Sequence, residues 1–223
     1  MTEEPDASKR FAIQIVPKRS DAFLSELRGG EHGCLFYINE SDRKRLQYLF
    51  LKTGLEQRWF CVYATATEEP QEVRQSMKNY QLDPDEHSQD LLIIRGEELF
   101  DDPRNPNLEK WLTSVSNIYN QAIGIGKRGV RISADLSSYF LKLGLVEQWF
   151  RLESSLAKRF DKELCVLCAY DMREFMPSKG SNSSDVLEYY AKLSRTYQKF
   201  LGIHSFAIIP TSTEIANLVI ALE

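Results

Sequence analysis

The run Cys34-Leu-Phe-Tyr-Ile-Asn-Glu-Ser-Asp42 passes abruptly from apolar, β-prone residues to a short polar stretch, and Arg43-Lys-Arg-Leu-Gln-Tyr-Leu-Phe-Leu51 follows with apolar residues at helical spacing. A continuous apolar run of that length reads as a strand buried on both faces, and the segment after it reads as the helix that packs back on the strand. Four more runs of the first kind follow: Trp59-Phe-Cys-Val-Tyr63, Leu91-Leu-Ile-Ile94, Val130-Arg-Ile-Ser-Ala134 and Leu164-Cys-Val-Leu-Cys-Ala-Tyr170. Their starts are separated by 25, 32, 39 and 34 residues, the length that a crossover helix with two loops requires. Helical patterns occupy Asp42 to Gln57, Glu69 to Tyr80, Asn107 to Ile123 and Ser138 to Phe160. The fold class expected is therefore α/β, a mainly parallel central sheet in three layers with helices on both faces.

Outside this frame the signals are weaker. Phe11 to Val16 reads as a strand, Asp21 to Arg28 as a short helix, and His204 to Ile209 as a strand stopped by Pro210. Gly180-Ser-Asn-Ser-Ser184 is a polar break before a helix from Val186 to Phe200, and Glu214 to Leu222 reads as a short apolar helix. The organisation expected is a polar segment with a strand over 1–20, one α/β domain over 21–210 and a short C-terminal helix over 211–223.

The 223 residues are 43% hydrophobic and 27% charged, a globular composition. The formal net charge of −4 and pI near 5.6 give no field that would attract nucleic acid or anionic lipid, so general nucleic-acid binding and membrane attachment are not expected. The acidic start Met1-Thr-Glu-Glu-Pro-Asp6 lacks a signal peptide's features, and the longest apolar stretch falls far short of the ~20 residues of a spanning helix. A cytoplasmic protein is the expectation, with its four cysteines acting as small buried hydrophobes.

Two motifs fail on context. Gly124-Ile-Gly126-Lys-Arg-Gly129 matches G-x-G-x-x-G, but it ends a helix and precedes a strand, the reverse of a dinucleotide fingerprint. Cys165-Val-Leu-Cys168 has redox or metal spacing, yet inside a strand positions three apart face opposite ways. A zinc site would need two further nearby ligands, and no paired His/Cys spacing supplies them. No metal ligand and no cofactor is assigned. The cluster Arg43-Lys44-Arg45 is taken as the hydrated face of an amphipathic helix.

Strand, loop, helix and second strand together resemble the RecA/KaiC-like branch of P-loop ATPases. Where an active member would carry G-x-x-x-x-G-K-[ST], this chain has Ile38-Asn-Glu-Ser-Asp42, without glycine or lysine, so ATP hydrolysis there is not expected. Gly30-Glu-His-Gly-Cys-Leu-Phe-Tyr37, Lys52-Thr-Gly-Leu-Glu-Gln-Arg58 before Cys61-Val-Tyr63, and Leu167-Cys-Ala-Tyr-Asp171-Met-Arg173-Glu-Phe175 carry a further likeness. Over about Leu27 to His204 the chain resembles the MEDS domain, the sensory domain of methanogens and methylotrophs typified by the DcmR regulator. It departs from that pattern at Ala134-Asp135, where the family often has Gly-Glu, and in its extra tail. The resemblance implies a RecA-like frame without a phosphate loop, used as a sensor rather than an enzyme.

In parallel α/β sheets ligands sit at the carboxyl ends of the strands. The residues there are Tyr37 and Asn39, Thr65 and Thr67, Arg95 and Glu97, Asp135 and Ser137, then Tyr170, Asp171 and Arg173. Tyr37, Asn39, Arg95, Glu97, Asp135, Tyr170, Asp171 and Arg173 are the candidate ligand-binding set, with Asp135 expected to pair Arg95 or Arg173. His32 starts its strand roughly 17 Å from Tyr37, at about 3.3 Å per residue, and is assigned a structural role. No residue is assigned to catalysis. The leading expectation is a non-catalytic sensor for a small molecule or a signalling partner. The rivals are an NTPase or phosphotransferase with an unusual phosphate loop, and a dimerisation module using Tyr139-Phe-Leu-Lys-Leu-Gly-Leu-Val146 and Trp149-Phe150. That apolar segment also motivates a homodimer.

Overall fold

The computed structural model describes residues 12–14, 20–157, 163–175 and 203–208. The expected helices at 186–200 and 214–222 lie outside them. The described strands are β1 Ala12–Gln14, β2 His32–Tyr37, β3 Phe60–Thr65, β4 Leu91–Arg95, β5 Val130–Ala134, β6 Leu164–Asp171 and β7 Phe206–Ile208. They form one parallel sheet in the order β1-β7-β2-β6-β5-β3-β4. Strands β2, β3, β5, β6 and β7 are buried along their whole length.

Period-two alternation divides the side chains of the sheet between two cores. Leu35, Cys61, Tyr63, Cys165 and Leu167 pack under helices α1 Ser20–Glu26, α2 Glu40–Glu56 and α3 Pro70–Asn79. Phe36, Val62, Ile132, Val166 and Cys168 pack under α4 Glu97–Phe100, α5 Leu108–Gly124, α6 Leu136–Lys142 and α7 Val146–Ala157. Cys165 and Cys168 thus face opposite ways, as their spacing predicts. The result is the expected three-layer α/β fold, consistent with a Rossmann- or RecA-like frame.

The helix expected over Ser138 to Phe160 is in fact two. Gly144 takes φ +71°, its N–H donates to Leu141 O, and the N–H of Leu145 donates to Phe140 O. That pair of bonds is a Schellman stop, which only a residue free to enter the left-handed region makes without strain. The same bonds at Gly126, φ +75°, to Ile123 and from Lys127 to Ala122, end α5, so the G-x-G-x-x-G match is a helix stop. The apolar segment 139–150 is used mainly in the domain's own core: Trp149 is buried, and Tyr139, Leu141, Leu145, Val146 and Phe150 pack against the same cluster.

One buried side chain ties the α1–α3 layer to the sheet. Arg131 on β5 is 0% exposed and donates to Leu24 O, Leu27 O, Phe50 O, Thr53 Oγ1 and Gln57 Oε1. Its guanidinium therefore supplies donors to the carbonyls at the end of α1, at Leu24 and Leu27, and adds a bond to the Phe50 carbonyl within α2. It reaches them past Gly54, where a Cβ would lie 2.7 Å from its Cδ. Among the described residues, no helix is long and apolar enough to cross a membrane.

Candidate functional site

From β2 the chain crosses to β3 on one side, while β7, which follows β6, lies on the other side of β2. Adjacent strands β2 and β6 thus send their connections in opposite directions, the arrangement that opens a crevice at their carboxyl ends. A cleft of ≈ 640 Å³ lies there, lined by Tyr37, Glu40, Arg43, Lys44, Thr67, Glu68, Asp135, Ser138, Lys142, Asp171, Arg173 and Glu174.

Four of the expected residues meet in this cleft. Tyr37 ends β2, and its hydroxyl is 3.1 Å from Ser138 Oγ. Ser138 in turn donates to Ala169 O and accepts from the Asp171 N–H, so one hydroxyl on α6 fastens the ends of β2 and β6. Asp171 accepts from the Arg173 main-chain N–H and from its guanidinium, Nε at 2.8 Å and Nη2 at 2.5 Å. Arg173 also reaches Glu40 Oε1 at 3.2 Å. Asp135 is 1% exposed and accepts from the Ala66 N–H at 2.7 Å and from Thr67 Oγ1 at 2.5 Å. Burial pushes its carboxyl above the usual range, opposed by the charge of Arg43 and by those two bonds.

The other four go elsewhere. Asn39 caps α2, its carbonyl taking the N–H groups of Asp42 and Arg43, and lies outside the cleft lining. Arg95 and Glu97 belong to the exposed edge at β4, where Arg95 Nη1 binds Glu69 at 2.6 and 2.7 Å and its Nε lies 3.7 Å from Glu97. The expected pairing of Asp135 with Arg95 or Arg173 does not form, because Glu69 at the start of α3 holds Arg95 and Asp171 holds Arg173. Tyr170 alternates with Asp171 and so faces the α4–α7 layer, where its hydroxyl donates to Glu153 Oε2 at 2.6 Å.

The residue that organises the cleft is one assigned to solvent from the sequence. Arg43, in the first turn of α2, is 2% exposed. It donates to Tyr63 Oη at 2.6 Å, Gln47 Oε1 at 3.0 Å, Glu40 Oε2 at 2.7 Å and Glu68 Oε2 at 3.1 Å. Lys44 shares Glu68 at 2.6 Å. Burial works to raise the Glu68 carboxyl, yet the hydrogen bonds and charges of Lys44 and Arg43 hold it below its ordinary value. A signal for Arg43 exists in the sequence: it lies three positions before Leu46 and four before Gln47, on the helical face that meets the sheet.

Tyr170 belongs to a second, wholly buried polar group that includes His32, Glu153, Cys168 and His204. The ligand-type partners that sequence spacing did not supply to Cys168 come from β2, α7 and the residue two before β7. An enclosed apolar void of ≈ 20 Å³, room for about one water-sized molecule, borders Glu153 and Cys168.

Residues 31–193 match the family model described as MEDS, the MEthanogen/methylotroph, DcmR Sensory domain. The chain belongs to the MEDS family. The match covers the cleft and every strand from β2 to β6, and the family is one of sensory domains, so a sensory role stands for this chain at that level. Comparison with curated proteins finds no match. The MEDS frame here keeps the strand-end crevice but offers, in place of a phosphate loop, a helix start carrying Glu40 and Asp42.

Proposed function

We propose that this MEDS domain senses a small polar or amphipathic molecule in the cleft over β2 and β6, without catalysis. The observation that carries the reading is the cleft's lining: Glu40, Glu68, Asp171, Arg43, Lys44 and Arg173 hold one another in ion pairs at a topological switch point. A ligand with a hydrogen-bonding or charged end exchanges one of these internal pairs for a contact of its own, and such exchange lets two states differ in affinity. Tyr37 supplies an apolar wall with a hydroxyl tip.

Phosphate is a poor occupant. Among the described residues no glycine-rich nest lines the cleft, and its cations Arg43, Lys44 and Arg173 are already engaged by Glu40, Glu68 and Asp171. Calorimetry with MgATP at micromolar protein is expected to show no binding, and a Mg-dependent micromolar isotherm lost in Asp135→Ala would favour the NTPase reading instead.

The positive test is native mass spectrometry of protein purified from its own cells, followed by thermal shift with the released compound. Arg173 is 51% exposed at its side chain, so Arg173→Ala is expected to lower apo stability by only ~0–1 kcal/mol. The same change is expected to remove most of the ligand's thermal shift. A full shift retained in Arg173→Ala and in Lys44→Ala would place the sensing site elsewhere.

A further inference from the structure

The buried group on the opposite face of β6 has the composition and spacing of a metal centre. We propose that His32, Glu153, Cys168 and His204 form a closed four-ligand site for a divalent transition-metal ion, zinc(II) in the first place. One ligand atom from each residue lies within 4.8 Å of all the others, and all four residues are buried. They come from four separate parts of the fold: the first residue of β2, the middle of β6, the sheet-facing side of α7 and the residue two before β7.

The gaps between the polar atoms are close to those of a tetrahedral zinc centre. Zinc bonds of ~2.0–2.1 Å to nitrogen or oxygen and ~2.3 Å to sulfur, set tetrahedrally, place ligand atoms about 3.3–3.6 Å apart. His32 Nε2 is 3.4 Å from Cys168 Sγ, His204 Nε2 is 3.6 Å from Glu153 Oε1, and His32 Nε2 is 4.0 Å from the same oxygen. The last two exceed the ~2.7–3.2 Å of an N–H···O hydrogen bond. The ligand atoms spread over as much as 4.8 Å, so binding draws the widest pair together by up to about 1 Å.

Charge and support agree. A dication with one carboxylate, one thiolate and two neutral imidazoles makes a neutral centre, whereas Glu153 ionised without the ion is a charge in a dry interior. Tyr170 donates to Glu153 Oε2 and so turns Oε1 toward both imidazoles, the outer hydrogen bond that orients a carboxylate ligand. Ser205 ties the segments that deliver the two histidines: its Oγ accepts from the His32 N–H at 2.8 Å, and its own N–H donates to His32 O at 2.6 Å. Two nitrogens, one sulfur and one oxygen select zinc-like ions over calcium or magnesium, which take oxygen sets. Four protein ligands with no open position make the site structural rather than catalytic. On binding, the Cys168 thiol releases its proton to solvent as the sulfur–metal bond forms. Three of the ligands lie within the matched residues 31–193, and His204 lies beyond them.

The experiment uses the full chain, reduced and stripped of metal, titrated with cobalt(II) alone. The expected result is one equivalent bound with the visible absorption of tetrahedral cobalt and a thiolate-to-cobalt charge-transfer band, both erased by one equivalent of zinc. Cys168→Ser should lose the charge-transfer band, while Cys165→Ser, on the other face of β6, keeps it. His204→Gln and Glu153→Gln should weaken binding by at least about tenfold. No tetrahedral spectrum at one equivalent in the wild-type chain overturns the proposal, whatever the variants do. A charge-transfer band that survives in folded Cys168→Ser overturns it too. Neither outcome bears on the cleft.

Discussion

Arg131→Met is expected to destabilise the domain by about 3–5 kcal/mol, a large share of the roughly 5–15 kcal/mol that holds an average domain folded. Methionine fills much of the volume, so the loss comes from the acceptors left behind. Leu24 O, Leu27 O and Phe50 O are main-chain carbonyls and cannot be mutated away, unlike the partners in an ion pair replaced wholesale by apolar residues. Stacking of the guanidinium over Phe50 and Trp59, at 5.1 and 5.3 Å from the ring centres, goes as well. Arg131→Lys should recover only a small part, since an ammonium cannot fork to five acceptors. Urea unfolding measures the loss, and amide exchange should show α1 opening first. A loss under 1 kcal/mol would mean that water replaces the guanidinium, and the anchoring role would fall.

Arg43→Met should cost about 3–5 kcal/mol at neutral pH, because it strips Tyr63 Oη and Gln47 of a donor and leaves Glu68 and Asp135 without their nearest buried cation. The sign with pH follows from Glu68. Its folded pKa is held below the ordinary carboxylate value, so its share of stability is present above the unfolded pKa and fades as pH falls through the folded one. Wild type and Arg43→Met should therefore converge as the solution is acidified through the carboxylate range. Parallel urea curves at pH 7 and pH 4 test this. A gap that stays constant would assign the effect to packing and neutral hydrogen bonds alone.

The strands were legible because each buried run is continuous and bounded by polar or glycine-containing loops. The length between runs required crossovers, and parallel pairing followed. The break at Gly144 was harder to see, since leucines flank the glycine and continue the apolar pattern across it. At the candidate site, strand-end logic brings Tyr37, Asp135, Asp171 and Arg173 to one cleft, whereas Asn39, Arg95, Glu97 and Tyr170 lie outside its lining. Alternation along β6 would have separated Tyr170 from Asp171. Arg43 escaped because a run of three basic residues is usually hydrated, which outweighed its helical spacing to Leu46 and Gln47, and its partners Tyr63 and Glu68 come from distant segments. The His32 group was beyond reach of spacing arguments, because its members stand far apart in the chain and no local pattern joins them.

That separation has a bearing on biosynthesis. Strand β2 lies between β6 and β7, and both neighbours come late: 136 residues separate His32 from Cys168, and 173 separate it from Ser205. At about 5–20 residues per second, a ribosome exposes this fully buried strand for roughly 7–27 seconds before its first hydrogen-bonding neighbour is even made. Helix α2 can shield one face of β2 in that interval, but both strand edges stay bare. The sheet around β2 can therefore be completed only after synthesis has passed β7.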